Sequence, residues 1–150
     1  MKSNNAILLV EDESTDVLLM ERMLAKALVA QQLFVAENGM EAIDFLVKAD
    51  DSHHLDKNPL PQLILLDLKL PLKSGLEVLK WIREQPVLKR IPVIVFTSSL
   101  DRSDVNDAYD LGANGYFLKT GSLEKMREIV VLWRDHWLVH NQGPDLVKIG

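Results

Sequence analysis

The chain has no cysteine, which removes disulfides, thiolate metal sites and thiol catalysis together. It has no basic stripe, and its formal net charge of −5 argues against a general nucleic-acid binder, whose phosphate contacts need clustered Lys and Arg. No apolar run approaches the ~20 residues of a membrane span, and the opening "MKSNNAILLVEDE" holds an apolar stretch too short for the core of a signal peptide. A cytoplasmic protein with no membrane partner is therefore expected. No internal repeat or low-complexity tract appears. At 150 residues the chain suits one domain with a single sizeable core and leaves no room for a second full domain.

Five short segments rich in Val, Ile, Leu and Phe do recur: "AILLV", "LFVA", "LILLD", "VIVFT" and "GYFLK". Helical patterns separate them. Continuous apolar strands alternating with helices predict a doubly wound parallel sheet covered on both faces, (βα)5 in outline. In the first helix Leu19, Met23 and Ala27 fall on one line, with Leu24 and Leu28 on the adjacent one. The second carries Ala42, Ile43, Leu46 and Val47 after Gly39; the third carries Leu76, Leu79 and Ile82 and should end near Pro86. A fourth is expected from Ser103 to Leu111 with Gly112 as its cap, and a fifth after Gly121 and Ser122, lined by Met126, Ile129, Val130, Trp133 and Trp137. The stretch "ADDSHHLDKNPLPQ" reads as an extended surface loop, and residues 141–150 as a tail or short arm following a domain of residues 1–140.

Ligands of open parallel α/β sheets bind beyond the carboxyl ends of the strands. The residues there are Glu11 and Asp12 after the first strand, Glu37 and Asn38 after the second, Asp67 after the third, Thr97 and Ser98 at the fourth, and Lys119 at the fifth. Four large apolar residues, Leu63 to Leu66, run straight into Asp67. A carboxylate so placed needs compensation. In the commonest five-strand order, strands one and three are neighbours, which brings Asp67 beside Glu11 and Asp12. Three clustered acids, with no His or Cys among them, suit Mg²⁺ or Mn²⁺. With Thr97 and Lys119 nearby, the set fits an aspartyl-phosphate site: Asp67 attacks phosphorus, the metal and Lys119 neutralise the phosphoryl oxygens, and Thr97 hydrogen-bonds one.

Across roughly residues 5 to 135, "LLVEDE", "LILLDLKLPLKSG", "IPVIVFTSS" and "GANGYFLK" resemble, in order and spacing, the four motif blocks of response-regulator receiver domains. The loop before the third strand, "LDLKLP", "LKRIPVIV" and the Trp-bearing final helix are most similar to stand-alone regulators that accept phosphate from phytochrome histidine kinases. The resemblance implies a flavodoxin-like sheet of order 2-1-3-4-5 and Asp67 as phosphoacceptor. It implies Mg²⁺ held by Asp12, Asp67 and the backbone carbonyl of Lys69, with Glu11 acting through water. It further implies that Thr97 and Ser98 approach the phosphoryl group, that Tyr116 turns inward behind them, and that Lys119 passes from the acceptor carboxylate to a phosphoryl oxygen. Signalling would run through the face of helix four, strand five and helix five to an unknown downstream protein, the regulator assisting its own phosphorylation and dephosphorylation without being an enzyme in the usual sense. One departure stands out: Thr120 follows Lys119 where the family usually has proline, so a trans bond and a reshaped loop are expected.

Rival functions meet specific obstacles in the chain. An aspartate-nucleophile phosphatase wants a second Asp two residues after the first, where this chain has Lys69. A nucleotide or flavin binder wants a glycine- or hydroxyl-rich loop where "VEDEST" stands. A receiver-like scaffold that cannot be phosphorylated would not need the intact acids, Thr97 and Lys119. Lys69 and Ser99, each two residues beyond a site residue, are candidates for tuning the lifetime of the phosphorylated state. Trp133 and Trp137 are candidates for a homodimer face. His136 and His140 share i, i+4 spacing but lack a third ligand and the Glu of a zinc-protease helix, and His53 and His54 are read as solvated loop residues.

Overall fold

The computed structural model describes residues 6–51 and 58–146. The strands are β1 (Ala6–Val10), β2 (Gln32–Ala36), β3 (Leu63–Leu66), β4 (Val93–Thr97) and β5 (Gly115–Leu118). They form one parallel sheet of order β2-β1-β3-β4-β5. Helices α1 (Ser14–Lys26), α2 (Gly39–Asp50), α3 (Gly75–Arg83), α4 (Arg102–Asp110) and α5 (Leu123–Trp133) cover it. A 3₁₀ turn at Leu88–Arg90 precedes β4, and a π-helical segment, Arg134–His140, extends α5. Among the described residues, no helix is long and apolar enough to cross a membrane.

Side chains alternate across a strand, so each apolar strand feeds two cores. Leu8, Val10, Ile64 and Leu66 meet Ala42, Leu46, Val78, Leu79 and Ile82 of α2 and α3 on one face. On the other, Ile7, Leu9, Leu63, Leu65, Ile94 and Phe96 meet α1 and α5 through Met20, Met23, Leu24, Met126, Ile129 and Val130. Burial on both faces explains why β1, β3 and β4 show no polar alternation.

The helix ends show where side-chain pattern yields to backbone geometry. Gly112 follows α4 with φ 101°, and Gly112 and Ala113 donate to the Tyr109 and Ala108 carbonyls, a left-handed Schellman cap. The same cap closes α1, with Leu28 at φ 57° in the glycine position and Leu28 and Val29 donating to Ala25 and Leu24. Leu28 thereby leaves the apolar line expected of it and stands 85% exposed. Val47 likewise points outward, 51% exposed. Helix α3 stops at Arg83, three residues before Pro86 and near its expected end, and a turn and the 3₁₀ segment then lead to β4.

Trp133 requires a correction. It is 2% exposed and packs edge-to-face on Phe96 and Phe117 at centroid distances of 5.3 and 5.4 Å, so it belongs to the α1/α5 core and not to a dimer face. The widening to a π-helix after it leaves Trp137 half-buried, against the His136 ring. Beyond His140 the chain has no regular structure through residue 146, but Leu146 is buried in the α2/α3 core and Arg90 donates to the Asp145 carbonyl at 3.1 Å. Residues 147–150, with most of "LVKI", and His53 and His54 lie outside the described residues.

Candidate functional site

Parallel pairing carries the ends of β1, β3, β4 and β5 to one edge. Asp67 directly follows β3 and extends its ladder by donating to the Val10 carbonyl at 3.1 Å; Lys119 does the same after β5, donating to the Thr97 carbonyl at 2.8 Å. Glu11, next after β1, donates to Ala36 at 2.9 Å. These backbone bonds fix three charged residues in register before any side-chain interaction is considered. Gly75 makes the turn after Asp67 tight: a Cβ there would lie 2.1 Å from the Asp67 carbonyl oxygen, so no larger residue fits without moving the Asp67 backbone.

Glu11 is 2% and Asp67 6% exposed, while Asp12 is exposed. One carboxylate oxygen from each lies within 4.8 Å of those of the other two. The Lys119 ammonium enters this cluster, 2.5 Å from Glu11 Oε1 and 2.9 Å from Asp67 Oδ2. It also sits 2.9 Å from Asp16 Oδ2 of α1. Burial pushes Glu11 up to about 7; the hydrogen bond from Lys119 opposes that rise and the Asp67 charge adds to it. For Lys119 burial works to lower the pKa, but hydrogen bonds to Glu11, Asp16 and Asp67 outweigh it and the net direction is up. An excess of carboxylate oxygens over cationic charge in a buried pocket fits a hard divalent ion. Glu11, Asp12 and Asp67 are the residues able to hold it.

Thr97 is fully buried at the end of β4 and Ser98 is exposed. Ser99 is buried, and its hydroxyl donates to Asp104 Oδ2 of α4 at 2.5 Å. The half-buried Tyr116 donates its hydroxyl to the Ser99 carbonyl at 2.9 Å, tying β5 to the β4–α4 loop. Burial raises the Tyr116 pKa, with the charges of Asp104, Asp101 and Asp67 adding to that. The exposed Lys69 donates its backbone N–H toward Asp67 Oδ1 at 3.4 Å. Glu37 and Asn38 serve the helix instead. Asn38 Oδ1 accepts from Glu41 N, and Glu41 Oε2 accepts from Glu37 N, a reciprocal cap on α2.

No cis peptide bond occurs among the described residues, so Lys119–Thr120 is trans as expected. Thr120 Oγ1 accepts from Ser122 N, and Ser122 Oγ from Lys125 N, which carries the chain into α5 without proline. Sequence reasoning missed Asp16 and Asp104. Each lies in the first turn of its helix, where an acid is already explained by the helix dipole; only the fold brings Lys119 and Ser99 against them. His136 and His140 are exposed and belong to no acid or His cluster among the described residues.

The response regulator receiver domain family matches residues 7–131. Response regulator Rcp1 of Synechocystis is 39% identical over 132 residues, 88% of each chain. Two crystal structures are also similar. The phosphorylated cyanobacterial phytochrome response regulator RcpA has a TM-score of 0.84 and 36% identity, covering 95% of this chain and 100% of its own. The Mn²⁺-bound form of Rcp1 has a TM-score of 0.82 and 36% identity, covering 94% and 99%. Sheet order, edge chemistry and sequence thus agree, and the chain belongs to the response-regulator receiver domains.

Proposed function

We propose that the chain is a single-domain response regulator that accepts a phosphoryl group on Asp67 from a phytochrome-type histidine kinase. The observation that carries this reading is the shared Lys119 ammonium, within 2.9 Å of Asp67 in a pocket walled by Glu11 and Asp12. The phytochrome assignment draws on RcpA and Rcp1, and on a bacteriophytochrome response regulator of TM-score 0.70 and 35% identity. Residues 1–140 would form the receiver and residues 141–150 a tail or short arm, which Leu146 pins to the α2/α3 core.

In this reading an Asp67 carboxylate oxygen attacks phosphorus in line, and the bond to the donor's histidine nitrogen breaks. Asp12, Asp67 and the Lys69 carbonyl, with Glu11 acting through water, would hold Mg²⁺ or Mn²⁺, which would supply positive charge for the phosphoryl oxygens. Lys119 follows the developing charge from Asp67 onto one phosphoryl oxygen, and the hydroxyls of Thr97 and Ser98 meet the others. Movement of Thr97 and the β4–α4 loop alters the seat of the Tyr116 hydroxyl on Ser99. The populations of the α4–β5–α5 face then shift only as far as its active form binds the phosphoryl group better. Leu118 and Leu123, 38% and 59% exposed, offer a downstream protein apolar contact on that face. Lys69 and Ser99 set the lifetime of the acyl phosphate. For Ser99 this requires its hydroxyl to leave Asp104, so Lys69→Ala and Ser99→Ala are both expected to change the decay rate; two unchanged rates would refute the assignment.

The test is intact-protein mass after incubation with acetyl phosphate, with and without Mg²⁺, for wild type and Asp67→Asn. One phosphate adduct that requires Mg²⁺ and disappears in the variant is expected. No adduct under any condition would favour a receiver-like scaffold. Phosphotransfer from a purified phytochrome kinase, set against an unrelated histidine kinase, tests the partner. A homodimer through the end of α5 is a second element of the proposal, supported by Leu132 and Val139, 59% and 61% exposed beside the half-buried Trp137; Trp137→Ala should then lower the sedimenting mass at low concentration.

A further inference from the structure

Lys119 follows the edge strand and carries its ammonium on a flexible four-carbon stem. In the loop after it the Thr120 hydroxyl accepts from Ser122 N rather than meeting the ammonium. What holds the ammonium is three carboxylates: Glu11, Asp67 and Asp16. Two of these, Glu11 and Asp67, also belong to the group whose oxygens converge for a cation; Asp16 does not. Asp16 is fixed in the first turn of α1, a helix anchored in the core by Met20, Met23 and Leu24.

We propose that Asp16 is a positioning residue for phosphoryl transfer, keeping the Lys119 ammonium beside Asp67 when Glu11 and Asp67 turn their charge to a cation and to phosphorus. The inference rests on Asp67 being the phosphoacceptor. Where Glu11 and Asp67 have two competing duties, Asp16 has one: it meets Lys119 from the α1 side, and its side chain, 36% exposed against 3% and 7% for the other two, stays at the mouth of the pocket. Without it the ammonium has two resting places during transfer, Glu11 or solvent, and neither is aimed at the phosphoryl group. A misplaced electrostatic partner costs rate without abolishing the reaction.

The experiment compares phosphorylation by acetyl phosphate at saturating Mg²⁺ in wild type, Asp16→Asn, Lys119→Ala and the double variant. Asp16→Asn should be about three- to tenfold slower than wild type, and the double variant no slower than Lys119→Ala, because Asp16 acts only through Lys119. A wild-type rate in Asp16→Asn, or an equal further loss in the Lys119→Ala background, would overturn the proposal. A second measurement uses no phosphodonor: with Mg²⁺ present, acetylation of Lys119 by an N-hydroxysuccinimide ester, read by peptide mass, should be faster in Asp16→Asn than in wild type. Unchanged labelling also overturns it. Should wild type take up no phosphate, the phosphoacceptor reading fails by itself, and the labelling arm still decides whether Asp16 restrains Lys119.

Discussion

At the amino edge of the sheet the guanidinium of Arg83 is met by neutral oxygens, whereas at the carboxyl edge the ammonium of Lys119 is divided among three carboxylates. Arg83 donates to the carbonyls of Gly112, Lys89 and Ile91 and to Asn114 Oδ1, all at 2.8–2.9 Å. Asn114 Oδ1 accepts in addition from Val93 N. Burial lowers the Arg83 pKa, as it must for a cation taken from water, yet four of the five N–H groups of the planar fork are met by neutral oxygen and the group remains charged. That edge is closed and needs nothing further. Around Lys119 the carboxylates outnumber the cation, and Glu11 is driven toward protonation by its own burial. Charge satisfied by backbone is a staple, and charge left over is an invitation to a ligand.

The largest expected effect on stability is therefore at the amino edge. Arg83→Ala leaves three carbonyls, from two separate segments, without their donor and should lower the unfolding free energy by about 3 kcal/mol, read by urea denaturation, while phosphorylation of the folded protein should proceed at the wild-type rate. A stability loss confined to a few tenths would show that water replaces the guanidinium and would dissolve the contrast. At the carboxyl edge the sign reverses. Asp12→Asn removes one charge from a crowded cluster and should raise stability by roughly 0.5–1 kcal/mol in Mg²⁺-free buffer; under the proposed function, added Mg²⁺ should then stabilise wild type but not the variant. Smaller again are the two left-handed caps, both at helix ends away from the site. Leu28→Gly should gain up to about 1 kcal/mol by relieving Cβ strain. Gly112→Ala should lose a similar amount or more, because its Cβ would also stand 2.9 Å from Arg83 Nε.

Much of the contrast was legible in the chain. The runs "AILLV", "LILLD" and "VIVFT" fix which residues end each strand, and a parallel sheet collects those ends at one edge, so Glu11, Asp12, Asp67, Thr97 and Lys119 follow from pattern and topology alone. Arg83 was not legible, since it reads as an ordinary basic residue at the end of a helix. Leu28 was misassigned because an apolar residue at helical spacing looks like core, and nothing in its side chain announces a left-handed backbone. Trp133 and Trp137 share one helical stripe in the sequence, but the first fills the space between β4, β5 and α5, while the second falls where the helix widens.

The sequence by itself determined the alternation of strands and helices, the two-faced burial of the sheet and the set of charged groups at its carboxyl edge, because each depends on periodicity and on which residue follows an apolar run. Tertiary structure alone decided the partners. Asp16 reaches Lys119 across 103 positions of sequence, Ser99 is engaged by Asp104, and Arg83 gathers acceptors from two segments, 89–91 and 112–114. Such contacts form between elements whose packing is set by the core, and the strength of a charge or hydrogen bond depends on burial and distance, which no local pattern carries.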